Sequence, residues 1–200
     1  MEQQLVEATE RAITKVIGDF QDNPERFWNE RDIHWSLFYY LKQEAVGQEN
    51  YVTQLIRAEF PTLKKFGGRK PARGHYDLVI LDPKAYNSPA VQQMKAQASW
   101  DDFLKLVKVI VAVEIKLWLA RLPFERADWD IRKLMEQPNK VVNAYFINFV
   151  QLNFNKPTMQ DYYRELREYL MHQKDQWPDL KILCVPSETK IQPVASKNWL

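Results

Sequence analysis

The sequence predicts an α/β fold, a mixed β-sheet with helices on both faces. Three observations predict it. Amphipathic stretches with helical spacing alternate with short apolar runs rich in β-branched and aromatic residues, in the order α, α, β, β, (α), β, α, β, α, β. The run Val107 to Leu119 carries Val109, Val111, Val113 and Ile115 at alternate positions, the period of a strand. Pro24, Pro61, Gly67, Gly68, Pro71, Pro83, Pro138 and Pro178 punctuate these segments.

The elements follow in order. Residues 2–21 read as a helix, with Leu5, Ile13, Val16, Ile17 and Phe20 at helical spacing, broken at Asp22-Asn23-Pro24. A second helix is expected over about 30–45, and a strand over 51–60 that Pro61 stops. Lys64 to Arg73 reads as a basic irregular loop. His75 to Leu81 is the next strand, closed by Asp82-Pro83, and 88–106 reads as a helical insertion. After the Val107–Leu119 strand, Asp128 is placed as an N-cap of a helix that Pro138 stops. Ala144 to Leu152 is an aromatic-rich strand. Thr158 and Asp161 have capping-box spacing for a helix ending before Pro178, and Leu180 to Val185 is a last short strand.

Composition narrows the function. The 200 residues are enough for one domain with a proper core, 46% of them are apolar, and the formal net charge is +2, so any nucleic-acid binding has to come from a local patch. The single cysteine, Cys184, makes no intrachain disulfide or thiolate metal site and reads as buried filler. No apolar run approaches the roughly 20 residues of a membrane span and no cleavable leader is visible, so the expected setting is cytoplasmic. The aromatic surplus, including Trp35, Phe38, Tyr39 and Tyr40, reads as core and helix packing.

Two strings carry the chemistry: Gly74-His75-Tyr76-Asp77-Leu78-Val79-Ile80 and Val111-Ala112-Val113-Glu114-Ile115-Lys116. Residues two apart in a strand share a face, so Glu114 and Lys116 project together from an apolar strand. If the two strings form an antiparallel meander, Asp77, early in its strand, lies beside Glu114 and Lys116, late in theirs. This requires the residues between them to loop out. Two carboxylates on neighbouring strands suit a hard divalent cation. Such an ion polarises a phosphoryl oxygen and activates water, and a lysine beside it orients or deprotonates that water or stabilises developing charge. The plainer alternative is a solvated sheet face with chance pairing.

The strings Tyr76-Asp77-Leu78-Val79-Ile80 and Val113-Glu114-Ile115-Lys116 resemble the two halves of the PD-(D/E)XK nuclease signature. The resemblance implies a restriction-endonuclease-like αβββαβ core over about 30–152, an insertion over 84–106 and a helix-strand extension over 153–200. It implies that Asp77 and Glu114 hold Mg2+, for which Mn2+ can substitute, that Lys116 is catalytic, and that the substrate is nucleic acid, DNA in the first instance. A homodimer fits the resemblance, because duplex cutting needs two sites. The sequence departs from the pattern where Gly74-His75-Tyr76 precedes the aspartate in place of proline, and in the long spacing of 37 from Asp77 to Glu114. A non-catalytic protein of the same fold that binds nucleic acid or a protein partner is the alternative.

Supporting residues have two readings each. Glu30 shares a helix face with Ile33, Leu37 and Leu41; it either completes the metal site, as the resemblance implies, or complements the helix dipole. Glu59 reads first as a sheet-face charge and second as an extra ligand. His75 shares a face with Asp77 and reads first as structural, second as a phosphate contact. Lys133 and Gln137, four apart on the helix after the signature strand, face either the site or solvent. In the basic segment, Lys64, Lys65, Arg69, Lys70 and Arg73 offer phosphate contacts or form a solvated loop.

Overall fold

The computed structural model describes residues 1–45, 52–66, 72–96, 100–137, 141–152 and 157–187. It is an α/β protein built on a five-stranded mixed sheet in the order β1-β2-β3-β4-β5, flanked by helices. The strands are β1 (Ile56–Phe66), β2 (Ala72–Leu81), β3 (Val109–Trp118), β4 (Asn143–Val150) and β5 (Leu180–Pro186). β1, β2 and β3 form the antiparallel meander, while β3, β4 and β5 run parallel. The parallel connections are made by α7 (Glu125–Met135) and α8 (Pro157–Gln176), as parallel strands require. Two N-terminal helices, α1 (Glu2–Asp22) and α2 (Glu30–Ala45), pack on each other.

β3 and β4 are buried almost throughout, the signature of strands covered on both faces. α1 is amphipathic; Phe20 on its buried stripe meets Phe149 of β4 edge-on at 4.9 Å between ring centroids. The C-terminal half of the sheet carries one buried polar pair. Trp118 Nε1 donates to Asn148 Oδ1 at 3.0 Å, and both residues are fully buried. Asn148→Ala is expected to lower stability by about 1–3 kcal/mol, because it strands the indole N–H without a partner. Urea unfolding checks this; an unchanged midpoint would show that water reaches the indole.

Several sequence expectations are corrected. The first strand begins after a short helix, α3 (Val52–Leu55), and runs through Pro61 to Phe66. Pro61 sits on the edge strand, where a missing N–H costs no ladder bond, and an irregularity in register follows it. The basic segment is therefore not one loop. Lys64 and Lys65 extend β1, Arg73 belongs to the backbone of β2, and Lys65 is paired with Arg73 across the hairpin. Arg69 and Lys70 lie outside the described residues. The insertion is three short helices, α4 (Pro83–Tyr86), α5 (Pro89–Ala96) and α6 (Trp100–Leu106), not one. Asp82 starts the first by accepting from the N–H groups of Lys84 and Ala85; Pro89 starts the second.

Asp128 is not an N-cap. α7 begins three residues earlier, after Pro123-Phe124, and the Asp128 carboxylate accepts instead from the Tyr169 hydroxyl of α8. That helix ends at Met135, before Pro138, which is outside the described residues. Thr158 is the second residue of α8, which opens on Pro157, a residue suited to the first helical turn. Cys184 is partly buried against the core as expected, and burial pushes its thiol up to about 12. Trp35 and Tyr39 are not core: they are 64% and 58% exposed on α2, next to Trp28 at 79%. Among the described residues no helix is long and apolar enough to cross a membrane.

Candidate functional site

The site lies where β2 and β3 part. Their ladder runs through Leu81↔Val109, Ile80↔Val111, Val79↔Ala112 and Leu78↔Val113. One step further on, Asp77 stands opposite Glu114, but the Ile115 N–H is taken by the Asp77 carboxylate, at 2.6 Å. Two residues on, the Leu117 N–H donates to Glu30 of α2 at 3.3 Å. Side-chain carboxylates thus satisfy the backbone donors that the diverging strands leave open. The insertion α4–α6 loops out between β2 and β3; their antiparallel register is continuous from Leu78 to Ile80 and shifts by one residue at Leu81↔Val109, beside the insertion.

Glu30, His34 and Asp77 converge there, with one ligand atom of each lying within 4.8 Å of the others. Glu30 and His34 are four apart on α2 and share one face. The Nε2 of His34 is buried and lies 3.2 Å from Asp77 Oδ2, yet it makes no hydrogen bond. The geometry is therefore proximity without alignment. Burial alone would lower the imidazole pKa, but the carboxylates of Asp77, Glu30 and Glu59 outweigh it and hold it above its ordinary value. Burial, reinforced by Asp77 and opposed by Lys116, raises the Glu30 carboxyl.

A chain of ion pairs continues from this cluster. Lys116 Nζ lies 3.6 Å from Glu30 and 2.9 Å from Asp130 of α7. Asp130 pairs with Lys133 at 2.7 Å, and Lys133 with Glu114 at 2.7 Å. Lys133 also donates to the His75 carbonyl at 3.1 Å. Its stem passes over Gly74 so closely that a Cβ there would sit 2.8 Å from Lys133 Cδ, so glycine is the residue that lets Lys133 reach Glu114. Glu114 is only 1% exposed, and its second oxygen has no hydrogen-bond partner. Burial first, and Asp77 second, push its carboxyl well above the ordinary 4.5. For Lys116 burial works downward, but Asp130 and Glu30 prevail and its pKa is raised. Four carboxylates therefore face two ammonium groups and one imidazole.

The sequence-derived residues are placed as follows. Asp77 and Glu30 are in the cluster and Lys116 is beside it, while Glu114 is adjacent but engaged by Lys133. Glu59 falls opposite Asp77, between the pairs Ala58↔Leu78 and Phe60↔Tyr76, and is exposed with a positive φ of 51°. The His75 ring is exposed and only its carbonyl enters the network. Lys133 and Gln137 do not share a role. Gln137 turns away and accepts from the Lys64 backbone N–H at 3.0 Å. Lys64 is itself paired with Glu136 at 2.6 Å, and Lys65 is exposed. Sequence reasoning missed His34 and Asp130. The Glu-x-x-x-His spacing from Glu30 signals the first; the second is signalled only by its place on the Ala127, Ile131, Leu134 stripe of α7, three residues before Lys133.

Comparison with protein-family models, curated proteins and solved structures finds no match for this chain.

Proposed function

We propose that this chain is a metal-dependent nuclease of restriction-endonuclease-like architecture that hydrolyses phosphodiester bonds, DNA being the first substrate to test. The observation that carries the reading is the convergence of Glu30, His34 and Asp77 next to Lys116. The succession α2, β1, β2, β3, α7, β4 supports it, because with the short helices set aside it reads αβββαβ.

The donor set fits a divalent cation: two carboxylates, a buried imidazole nitrogen with no hydrogen bond, and an excess of negative charge around them. The two carboxylates suit Mg2+ or Mn2+, and the imidazole adds a donor that first-row transition ions take readily. A bound ion would supply charge at the phosphoryl oxygen and a water of lowered pKa. Glu30, His34 and Asp77 would hold it. Ile115 N–H fixes the Asp77 carboxylate and Leu117 N–H fixes that of Glu30, so neither has to be ordered when the ion binds. Lys116, held between Glu30 and Asp130 with its pKa raised, keeps its proton. Its role is to stabilise negative charge on the phosphate, not to take a proton from water.

Supercoiled plasmid with Mn2+ or Mg2+ tests this. Wild type is expected to nick it, and Lys116→Ala to do so on the order of 10²-fold more slowly or worse. Equal background cleavage by both proteins would refute the catalytic assignment. One observation favours a second reading, a non-catalytic scaffold of the same fold: Glu114 is already neutralised by Lys133 inside the protein. That reading predicts Mn2+ binding without any nicking.

A further inference from the structure

A cleft of about 440 Å3 opens on the other side of Glu59, between β1 and the insertion helices. Phe60, Met94 and Phe103 give it apolar walls, and the Phe60 and Phe103 rings lie 6.4 Å apart. Two cations enter from separate elements and converge on one phenol. Arg57 of β1 donates to the Tyr86 hydroxyl at 2.9 Å, and Lys95 of α5 lies over the Tyr86 ring. Among the described residues neither cation has a carboxylate partner within ion-pair distance. Burial would raise the phenol, but Lys95 and Arg57 outweigh it and draw its pKa down. Such a site has room and polarity for an anion at its mouth and a flat apolar group within, and its volume falls in the roughly 300–1,000 Å3 range of small-molecule sites.

Its position gives it a use. Glu59 lines the cleft and, in the register of β1 with β2, stands opposite Asp77. Its charge acts on His34 of the cluster. The cleft wall at Glu59 of β1 therefore borders the cluster, one strand across from Asp77 of β2. We propose that this cleft is a nucleotide subsite, taking the residue next to the scissile phosphate, with its phosphate on Arg57, Lys95 and the Tyr86 hydroxyl and its base between Phe60, Met94 and Phe103. The placement of that residue rests on the nuclease reading; binding of a free nucleotide does not.

The experiment is a calorimetric or NMR titration of the full chain in EDTA with deoxyadenosine monophosphate, with deoxyadenosine and with inorganic phosphate. The nucleotide is expected to bind saturably and more tightly than either fragment. In R57Q/K95Q, whose altered side chains are exposed, nucleotide affinity is expected to fall by roughly ten- to a hundred-fold with an unchanged Tm. No saturable binding, or equal affinity in the variant, would overturn the subsite. Phosphate binding as tightly as the nucleotide would overturn the part given to the apolar walls. Plasmid nicking, run in parallel, separates the two ideas. Arg/Lys-dependent nucleotide binding without nicking leaves the cleft standing and removes the nuclease reading. Nicking without nucleotide binding does the reverse.

Discussion

Lys133→Ala is expected to destabilise the protein by about 3–5 kcal/mol at pH 8, the usual cost of removing one partner from a buried ion pair. Glu114 is buried, and among the described residues its ion-pair partner is Lys133, at 2.7 Å. The pH dependence gives the loss its fingerprint. Glu114's carboxyl is held well above 4.5 in the folded chain. A group raised on folding contributes stability that is fully present below its unfolded value and lost as pH rises through the folded one. Removing the opposing ammonium raises that carboxyl further. The deficit of the variant relative to wild type is therefore small near pH 4.5 and grows as pH rises. Urea unfolding across this range reads it directly. The double variant Lys133→Met, Glu114→Gln replaces both charges with neutral groups of similar size and is expected to recover most of the loss. A deficit independent of pH, or no recovery in the double variant, would mean that Lys133 stabilises by packing its stem across Gly74, not by its charge.

The meander was legible in the sequence because strand period and apolar context agree over Val109 to Ile115, and because Asp77 reads as early in its strand and Glu114 as late in its own. That is enough to bring them face to face once the chain turns back, although β2 and β3 extend further and place both near mid-strand. Glu30 was legible by the same kind of argument, a carboxylate on an apolar helix stripe. Partners defined only in three dimensions were not legible. Asp130 matters because it joins Lys133 of its own helix to Lys116 of β3, and no spacing in the sequence records the contact with Lys116. Pro61 misled because its effect depends on whether the strand is at an edge, and Lys64–Arg73 misled because backbone pairing in a hairpin outweighs the charge of its side chains. Trp35 and Tyr39 misled for a related reason. Their i, i+4 spacing sets them on one face of α2, but which face turns inward is decided by Ile33, Leu37 and Leu41 packing under them.

Asp77→Asn is expected to abolish metal-dependent cleavage while leaving the fold intact. The amide oxygen can still accept from the Ile115 N–H, so the split between β2 and β3 keeps its filler; what goes is the charge. Mn2+ affinity should fall by at least the roughly 10–100-fold seen when outer-shell partners of metal ligands are lost, and cleavage should drop to the level of the metal-free protein. A second readout is independent of activity. Asp77 is the first of the groups that lift the His34 imidazole against burial, so in Asp77→Asn that imidazole should titrate at lower pH than in wild type, followed by NMR without metal. In wild type, protons on Glu30 and His34 compete with the ion, and both groups are raised. Mn2+ affinity should therefore climb as pH increases through their range. If Asp77→Asn shifts His34 but keeps wild-type Mn2+ affinity, Asp77 is an electrostatic neighbour and the ion is held elsewhere. If both are unmoved, the convergence of Glu30, His34 and Asp77 is not what controls this site.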